Sequence, residues 1–164
     1  MDRCIVIGAS HAAAQLVTSL RQQGWQGGID LIGEEPWLPY HRPPLSKTFL
    51  AESKQIEDIL IRPASAYEKA EVTTHLGIRA IGINPDGMSV SLEGGEELQG
   101  SHIVLATGGY ARRLALPGAN LAGVHVLRNA SDVHAIKARA HTGASVVIIG
   151  GGYIGLETAA SLRK

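Results

Sequence analysis

Three short stretches of this sequence concentrate groups suited to holding anions. The clearest is GGGYIG, residues 150–155, which directly follows the apolar run VVII. Gly150, Gly152 and Gly155 stand in G-x-G-x-x-G spacing. Between a strand and a helix, the first glycine makes the tight turn, the second lets a pyrophosphate reach the backbone, and the third lets helix and strand close up. The helix N-terminus that follows, with Tyr153 and Ile154 inside the motif, would offer unpaired N–H groups and a positive dipole end to phosphate. An ordinary glycine-rich turn has the same spacing, so the weight rests on the apolar run before and the helix-forming run after. The second stretch is CIVIGASHAA, where Gly8 holds the first position of the same pattern, Ser10 the second and Ala13 the third. Alanine is tolerated at the third position. Serine at the second adds a Cβ where a ligand must approach, but its hydroxyl can donate to phosphate, and His11 and Ala12 open the helix. An acid should follow at the end of the next strand to bind ribose hydroxyls. Glu34 and Glu35 are available there, somewhat beyond the usual separation of about twenty residues, and a solvated turn is the other reading of them. The third stretch is LPYHRPPLSK, residues 38–47, with three prolines, Arg42 and Lys47 in one loop. Proline presets φ and lowers the entropy lost in holding a charged side chain against a ligand.

These residues need a scaffold that ends strands at glycines and starts helices just after them. RCIVIG reads as a strand buried on both faces, as in a parallel sheet. HAAAQLVTSLRQQG is rich in helix formers and stops at Gly24. GIDLIGEE is a second strand, which completes a right-handed βαβ unit. Beyond the Pro-rich loop, PASAYEKAE predicts a short helix with Pro63 near its start. VTTHLGIRAIGI and MSVSLEGG, joined by turn chemistry at Asn84–Gly87, predict a small antiparallel meander. HIVLATGG is again a buried strand closed by glycines, with Thr107 and Gly108 in the turn. SDVHAIKARA predicts a helix capped by Ser131. SVVIIGGGYIGLETAASLRK then repeats the opening strand–turn–helix pattern. A βα pair without a following strand does not complete a nucleotide site, so the chain is expected to be a fragment of a longer protein or a truncated product.

Composition excludes several classes. Lys+Arg and Asp+Glu both number 15, a formal net charge of zero, so no basic excess points to nucleic acid or an anionic membrane. The single cysteine, Cys4, rules out an intramolecular dithiol and reads as a small core residue. No apolar run approaches the roughly 18 residues of a membrane span. The opening MDRCIVIGAS is too short in its apolar run, and too polar around it, for a secretory signal, so none is expected. A soluble cytoplasmic protein is expected. His134 and His141 lie two helical turns apart, which does not suit one ion, and no metal is expected.

Two nucleotide turns in one chain suggest two dinucleotides, as when a nicotinamide gives a hydride to a bound flavin. In this order, GASHAA, PYHRPPLSK, LATGG and VVIIGGGYIGLE resemble the FAD-dependent ferredoxin and rubredoxin reductases, electron suppliers of cytochrome P450 and Rieske-type oxygenase systems within the glutathione-reductase-like flavoproteins. The resemblance covers essentially the whole chain and corresponds to roughly the N-terminal two-fifths of such an enzyme. It implies an α/β fold: a Rossmann-like FAD-binding domain with a small antiparallel meander over residues 1–130, then the first βα unit of an NAD(P)H-binding domain over 131–164.

The resemblance also implies roles. Lys47 would reach the flavin and pair with Glu157, which would keep the lysine charged beside the flavin N5. Ser10 and Ala12 would face the FAD pyrophosphate, and His11 would touch the FAD. Glu34 would bind ribose, Ala80 would meet the adenine, and Arg128 would contact the FAD, with Thr107 and Gly108 beneath the cofactor. Tyr153 would lie near the nicotinamide, or pack in a core. Without the resemblance, Lys47, Arg128 and Glu157 read as ordinary surface charges. Disulfide reductases of this superfamily carry a cysteine pair just after the second strand. None stands there in this sequence, so electrons would leave the flavin directly for a ferredoxin- or rubredoxin-type iron–sulfur carrier, with no nucleic-acid or membrane partner. The other expectation is a truncated, inactive dinucleotide-binding module.

Overall fold

The structure, a computed structural model, describes residues 2–163. They fold into two compact units. One comprises residues 2–40 and 60–108, the other residues 41–59 and 109–163.

The first unit is built on a parallel sheet. Strand β1 (Arg3–Ile7) lies between β2 (Gly28–Gly33) and β7 (His102–Leu105), and β3 (Val72–Leu76) adds outside β2, giving the order β3-β2-β1-β7 with all pairs parallel. β1 buries four of its five residues because it has sheet neighbours on both edges and packing on both faces. One face of the sheet packs Cys4, Val6, Ile29 and Leu31 against Ala13 and Val17 of helix α1 (His11–Gln22) and Tyr67 of the short helix α3 (Ala64–Lys69). The other face packs Ile5, Ile7 and Ile32 against Val90, Leu92 and Leu98 of an antiparallel meander, β4 (Ala80–Asn84), β5 (Ser89–Leu92) and β6 (Glu97–Gln99). Helix α1 is closed two residues beyond Gln22 by Gly24, whose φ of +88° is the left-handed conformation that closes helices. Arg21 locks that end: its guanidinium donates to the carbonyls of Ala70 (2.7 Å), Trp25 (2.7 Å), Gly27 (2.8 Å) and Glu71 (3.3 Å). Asp30, buried in β2, is matched by the His75 ring at 2.8 Å and the Arg3 guanidinium at 3.5 Å, as a buried charge requires.

The second unit is helical. A 3-10 turn (Pro43–Ser46) and the one-turn helix α2 (Thr48–Ala51) pack against α4 (Ala130–Lys137) and α5 (Tyr153–Leu162). Leu45, Phe49, Leu50, Ala130 and Val133 are buried there. Lys137 lies 5.2 Å over the Phe49 ring and donates to the Glu52 carbonyl at 2.7 Å.

Three local expectations are corrected. VTTHL joins the parallel sheet beside β2 instead of the meander, because Gly77, with φ of +72°, breaks the run and sends its two halves to different sheets. The cap of α4 is Asn129, not Ser131. Asn129 Oδ1 accepts from the Asp132 N–H at 2.8 Å, and the Asp132 carboxylate accepts from the Asn129 N–H at 3.0 Å, a reciprocal capping box. The run Val146–Ile149 belongs to no strand. Val147 is 86% exposed and Ile149 74% exposed. A buried parallel strand exists only where neighbours satisfy its N–H and C=O groups, and no strand among the described residues pairs with this one. Helix α5 forms after it all the same.

Candidate functional site

In the first unit, the sheet order runs outward from β1 in both directions: to β2 and β3 on one side, to β7 on the other. The crevice beyond the carboxyl ends of such diverging strands is where open α/β sheets bind ligands. The turn after β1 sits there. Gly8, at φ +109°, donates its N–H to the Ile32 carbonyl at 2.8 Å. A Cβ built on Gly8 would lie 2.2 Å from the Ala106 carbonyl oxygen and 2.9 Å from Thr107 Cα, so only glycine fits between the two turns. Gly33 performs a second close approach, since its Cβ would lie 2.6 Å from that of Ala9. Ser10 is extended at the N-cap of α1 and makes no capping bond to the helix. His11 and Ala12 are exposed in the first turn, and Ala13, at the third motif position, is buried in the core. This turn therefore presents a helix N-terminus at the sheet's carboxyl edge.

Glu34 follows Gly33 directly and is exposed, whereas the Glu35 carboxylate accepts a hydrogen bond from the Tyr40 hydroxyl. Of the two acids, Glu34 is the exposed one and Glu35 is half-buried. Ala80 and Thr107 share a hollow of about 290 Å³ with Ile7, Gly82 and Leu105. Gly108 adopts φ +68°.

In the second unit the glycines of GGGYIG differ in conformation and in surroundings. Gly150 turns at φ +112°. Nothing lies within 4 Å of a Cβ on Gly150, Gly151 or Gly152, so the backbone there is open to an incoming group. A Cβ on Gly155 would lie 2.8 Å from the Gly150 carbonyl oxygen, so the third glycine permits the close return of the helix. Tyr153 and Ile154 are 88% and 56% exposed, which removes core packing as the account of Tyr153 in this chain.

The Pro-rich loop and α5 meet through a polar network. Lys47 Nζ stands 3.2 Å from Glu157 Oε1. Ser46 Oγ donates to Glu157 Oε2 at 2.6 Å. Ser161 Oγ donates to the Ser46 carbonyl at 2.8 Å and reaches the Lys47 carbonyl at 3.4 Å. The Ser46 hydrogen bond, then that from Lys47, holds the Glu157 carboxyl below the usual carboxylate range; partial desolvation opposes them, and the Lys47 charge adds to them. Lys47, Thr48, Glu157, Ala160 and Ser161 line a hollow of about 220 Å³. Arg42 and Arg128 also come together: Arg42 donates to the Arg128 carbonyl at 3.4 Å, and Arg128 Nε donates to the Gly109 carbonyl at 2.9 Å. Asp132 of the α4 capping box also accepts the Arg128 N–H at 2.8 Å.

Sequence reasoning overlooked Gly33, Ser46 and Ser161. Gly33 carried a signal, a glycine closing an apolar run. The two serines carried none, because only a contact between residues 111 positions apart gives Ser46 a role.

Comparison with known proteins settles the family. The family model described as pyridine nucleotide-disulphide oxidoreductase matches residues 2–164. This chain belongs to that family. Over 160 residues it is 46% identical to a ferredoxin–NAD(P)(+) reductase of Sphingomonas sp and 39% identical to rhodocoxin reductase of Rhodococcus erythropolis, covering 98% of this chain in each case but 39% and 38% of those proteins. The ferredoxin reductase for the CYP199A2 system from Rhodopseudomonas palustris superposes with a TM-score of 0.93 at 36% identity, over 99% of this chain and 40% of that one. The chain thus spans about two-fifths of the length of its oxidoreductase relatives. As the family fold requires, it is mixed α/β, with a parallel and an antiparallel sheet. No described helix is long and apolar enough to cross a membrane.

Proposed function

We propose that this chain is the FAD-binding part, with the opening of the NAD(P)H-binding part, of a reductase that passes electrons from a nicotinamide to a ferredoxin- or rubredoxin-type carrier feeding an oxygenase. The observation that carries the reading is the 3.2 Å contact of Lys47 with Glu157. It joins the Pro-rich loop to the helix of the second glycine turn, as the resemblance requires. The residues present also suit dinucleotides. The backbone at Gly150–Gly152 is open, and Gly155 allows a close helix return. The first turn offers the N-terminal N–H groups of α1.

By ligand, residues 1–130 serve FAD and 131–164 begin the NAD(P)H part. Gly8, Ser10, His11, Ala12 and Ala13 form the FAD pyrophosphate turn. Glu34 takes ribose hydroxyls, and Ala80, Thr107 and Gly108 border the cofactor. Arg42 and Arg128 supply positive charge to it. Gly150, Gly152, Tyr153, Ile154 and Gly155 receive the nicotinamide dinucleotide. FAD, when bound, supplies the conversion between two-electron and one-electron transfer. Lys47 presents an ammonium to the flavin, and Glu157 pairs with it at 3.2 Å. With one cysteine, buried Cys4, the chain brings no dithiol of its own.

Equilibrium dialysis of the purified chain against FAD and against riboflavin tests this. FAD is retained and riboflavin is not, because the first turn recognises the pyrophosphate. Equal retention of the two, or of neither, overturns the reading.

A further inference from the structure

We infer that Ser46, rather than Lys47, is the residue that positions Glu157 and keeps it in one orientation. The inference deepens the proposed function and rests on it only for its catalytic meaning, since the geometry stands by itself. Ser46 closes the 3-10 turn Pro43–Ser46 and is 4% exposed. Its hydroxyl donates to Glu157 Oε2 at 2.6 Å. The other carboxylate oxygen, Oε1, faces Lys47 at 3.2 Å. The two donors therefore divide the carboxylate between them, and they differ in how firmly they can hold it.

The Lys47 side chain is 52% exposed and that of Glu157 33%. An exposed lysine is strongly hydrated, and an ion pair made by its flexible stem is screened and weak. Ser46 has one side-chain torsion to fix and is buried, and a hydrogen bond to an ionised acceptor is stronger than a neutral one. Its main chain is held too, because the Ser46 carbonyl accepts from Ser161 Oγ at 2.8 Å. Glu157 and Ser161 are four residues apart on α5, so they lie on one face, one turn apart. The end of the 3-10 turn is gripped at side chain and carbonyl by two successive turns of one helix. Of the elements packed on α5, the 3-10 turn and α2 bring Lys47 as the charged group meeting Glu157. Ser46 is thus a positioning residue. Glu157 keeps its place and its charge while the Lys47 ammonium moves between the carboxylate and a ligand in the adjoining hollow.

NMR titration of the Glu157 side-chain carboxyl carbon in the chain without added flavin tests this separately from flavin binding. The midpoint rises in Ser46→Ala, and rises more than in Lys47→Met. Ser161→Ala leaves it near that of the unchanged chain, because the Ser46 hydroxyl remains. An unchanged midpoint in Ser46→Ala, or a larger rise in Lys47→Met, overturns the inference. Should Ser46→Ala lose dispersed amide resonances, Ser46→Cys replaces it. A thiol is a weaker donor of similar shape, so its midpoint must lie above that of the unchanged chain, and equality with it overturns the inference. Failure to retain FAD would refute the proposed function and leave this titration standing.

Discussion

Substituting alanine at Gly8 and at Gly24 separates backbone strain from steric exclusion within one unit. Both glycines have positive φ, +109° and +88°. Alanine at either position occupies a backbone region that costs an L-residue about 1–3 kcal/mol. The surroundings differ. A Cβ at Gly24 meets nothing within 4 Å, whereas one at Gly8 would lie 2.2 Å from the Ala106 carbonyl oxygen and 2.5 Å from its carbon. These are main-chain atoms, held by the Ala106 N–H bond to the Ile7 carbonyl at 2.8 Å, so they cannot rotate aside as a side chain would. Forcing the turns apart adds an overpacking term of about 1–3 kcal/mol. Gly24→Ala should therefore lose about 1–3 kcal/mol and Gly8→Ala about 2–6 kcal/mol. Trp25 and Trp37 both belong to the first unit, so urea unfolding followed by tryptophan fluorescence reads that unit for both variants. With a urea dependence of about 1–3 kcal/mol/M, the Gly8 midpoint should fall roughly 1 M further than the Gly24 midpoint. Equal midpoints would show that the turn after β1 relaxes freely and that the strand edge does not demand glycine there.

Three further outcomes follow from the same geometry. Arg21→Met keeps the aliphatic stem but leaves four carbonyls without their guanidinium; it should lower the unfolding midpoint of the first unit by an amount equivalent to about 2–4 kcal/mol, while Arg21→Ala loses stem packing as well. The Tyr67 hydroxyl is buried without a hydrogen-bond partner, and burial pushes its pKa up to about 12. The unfolded chain ionises first, so the tyrosine's contribution is intact below its ordinary pKa of about 10 and is lost as pH rises toward 12. Tyr67→Phe should remove that alkaline loss from pH-dependent unfolding and stabilise the fold by about 1 kcal/mol at neutral pH. Glu157 has the opposite sign: its lowered folded pKa gives stability that is present above the ordinary carboxylate pKa and lost as pH falls through the folded value. Protection factors of the α5 amides, taken relative to intrinsic exchange at each pH, should fall on acidification, and Glu157→Gln should remove that dependence.

The opening βαβ unit was legible because local and global signals agree there. β1 is an unbroken apolar run, its glycine is sterically required, and α1 is made of good helix formers. Elsewhere the sequence names a strand without naming its neighbour. VTTHLGIRAIGI has β character throughout, yet nothing in it tells which half pairs with β2 and which with β5. VVII has the composition of a buried strand and remains outside any sheet, because its conformation depends on edges that other strands must supply. At α4, Ser131 and Asn129 are both good caps. The deciding feature was Asp132 three residues after Asn129, which closes the box, where His134 three residues after Ser131 cannot. The Lys47–Glu157 pairing came from resemblance and not from any periodicity.

The two glycine turns bear unequally on function, though their sequences look alike. Gly8 is fixed by the sheet: the approach of β1 and β7 excludes a side chain whether or not a ligand binds, so its presence alone says nothing about phosphate. Gly155 is likewise fixed, by the Gly150 carbonyl 2.8 Å from where its Cβ would be. Gly151 and Gly152 are different, since their added Cβ atoms would meet open space and neither has positive φ. Neither the turn nor its packing needs glycine there, and glycine loses more conformational entropy on folding than any other residue. Under the proposed function, the bare backbone there lets a dinucleotide come closer than a methyl group allows. The same distinction applies to the ion pair. Leu45, Phe49 and Leu50 are buried in the second unit with Ala130 and Val133, and the Ser46 hydroxyl is bonded to α5. These contacts account for the loop's attachment, and a half-exposed lysine adds only about 0–1 kcal/mol to it. Stability therefore does not require the Lys47 ammonium beside Glu157, and under the proposed function its place there is that of a charge presented to a ligand.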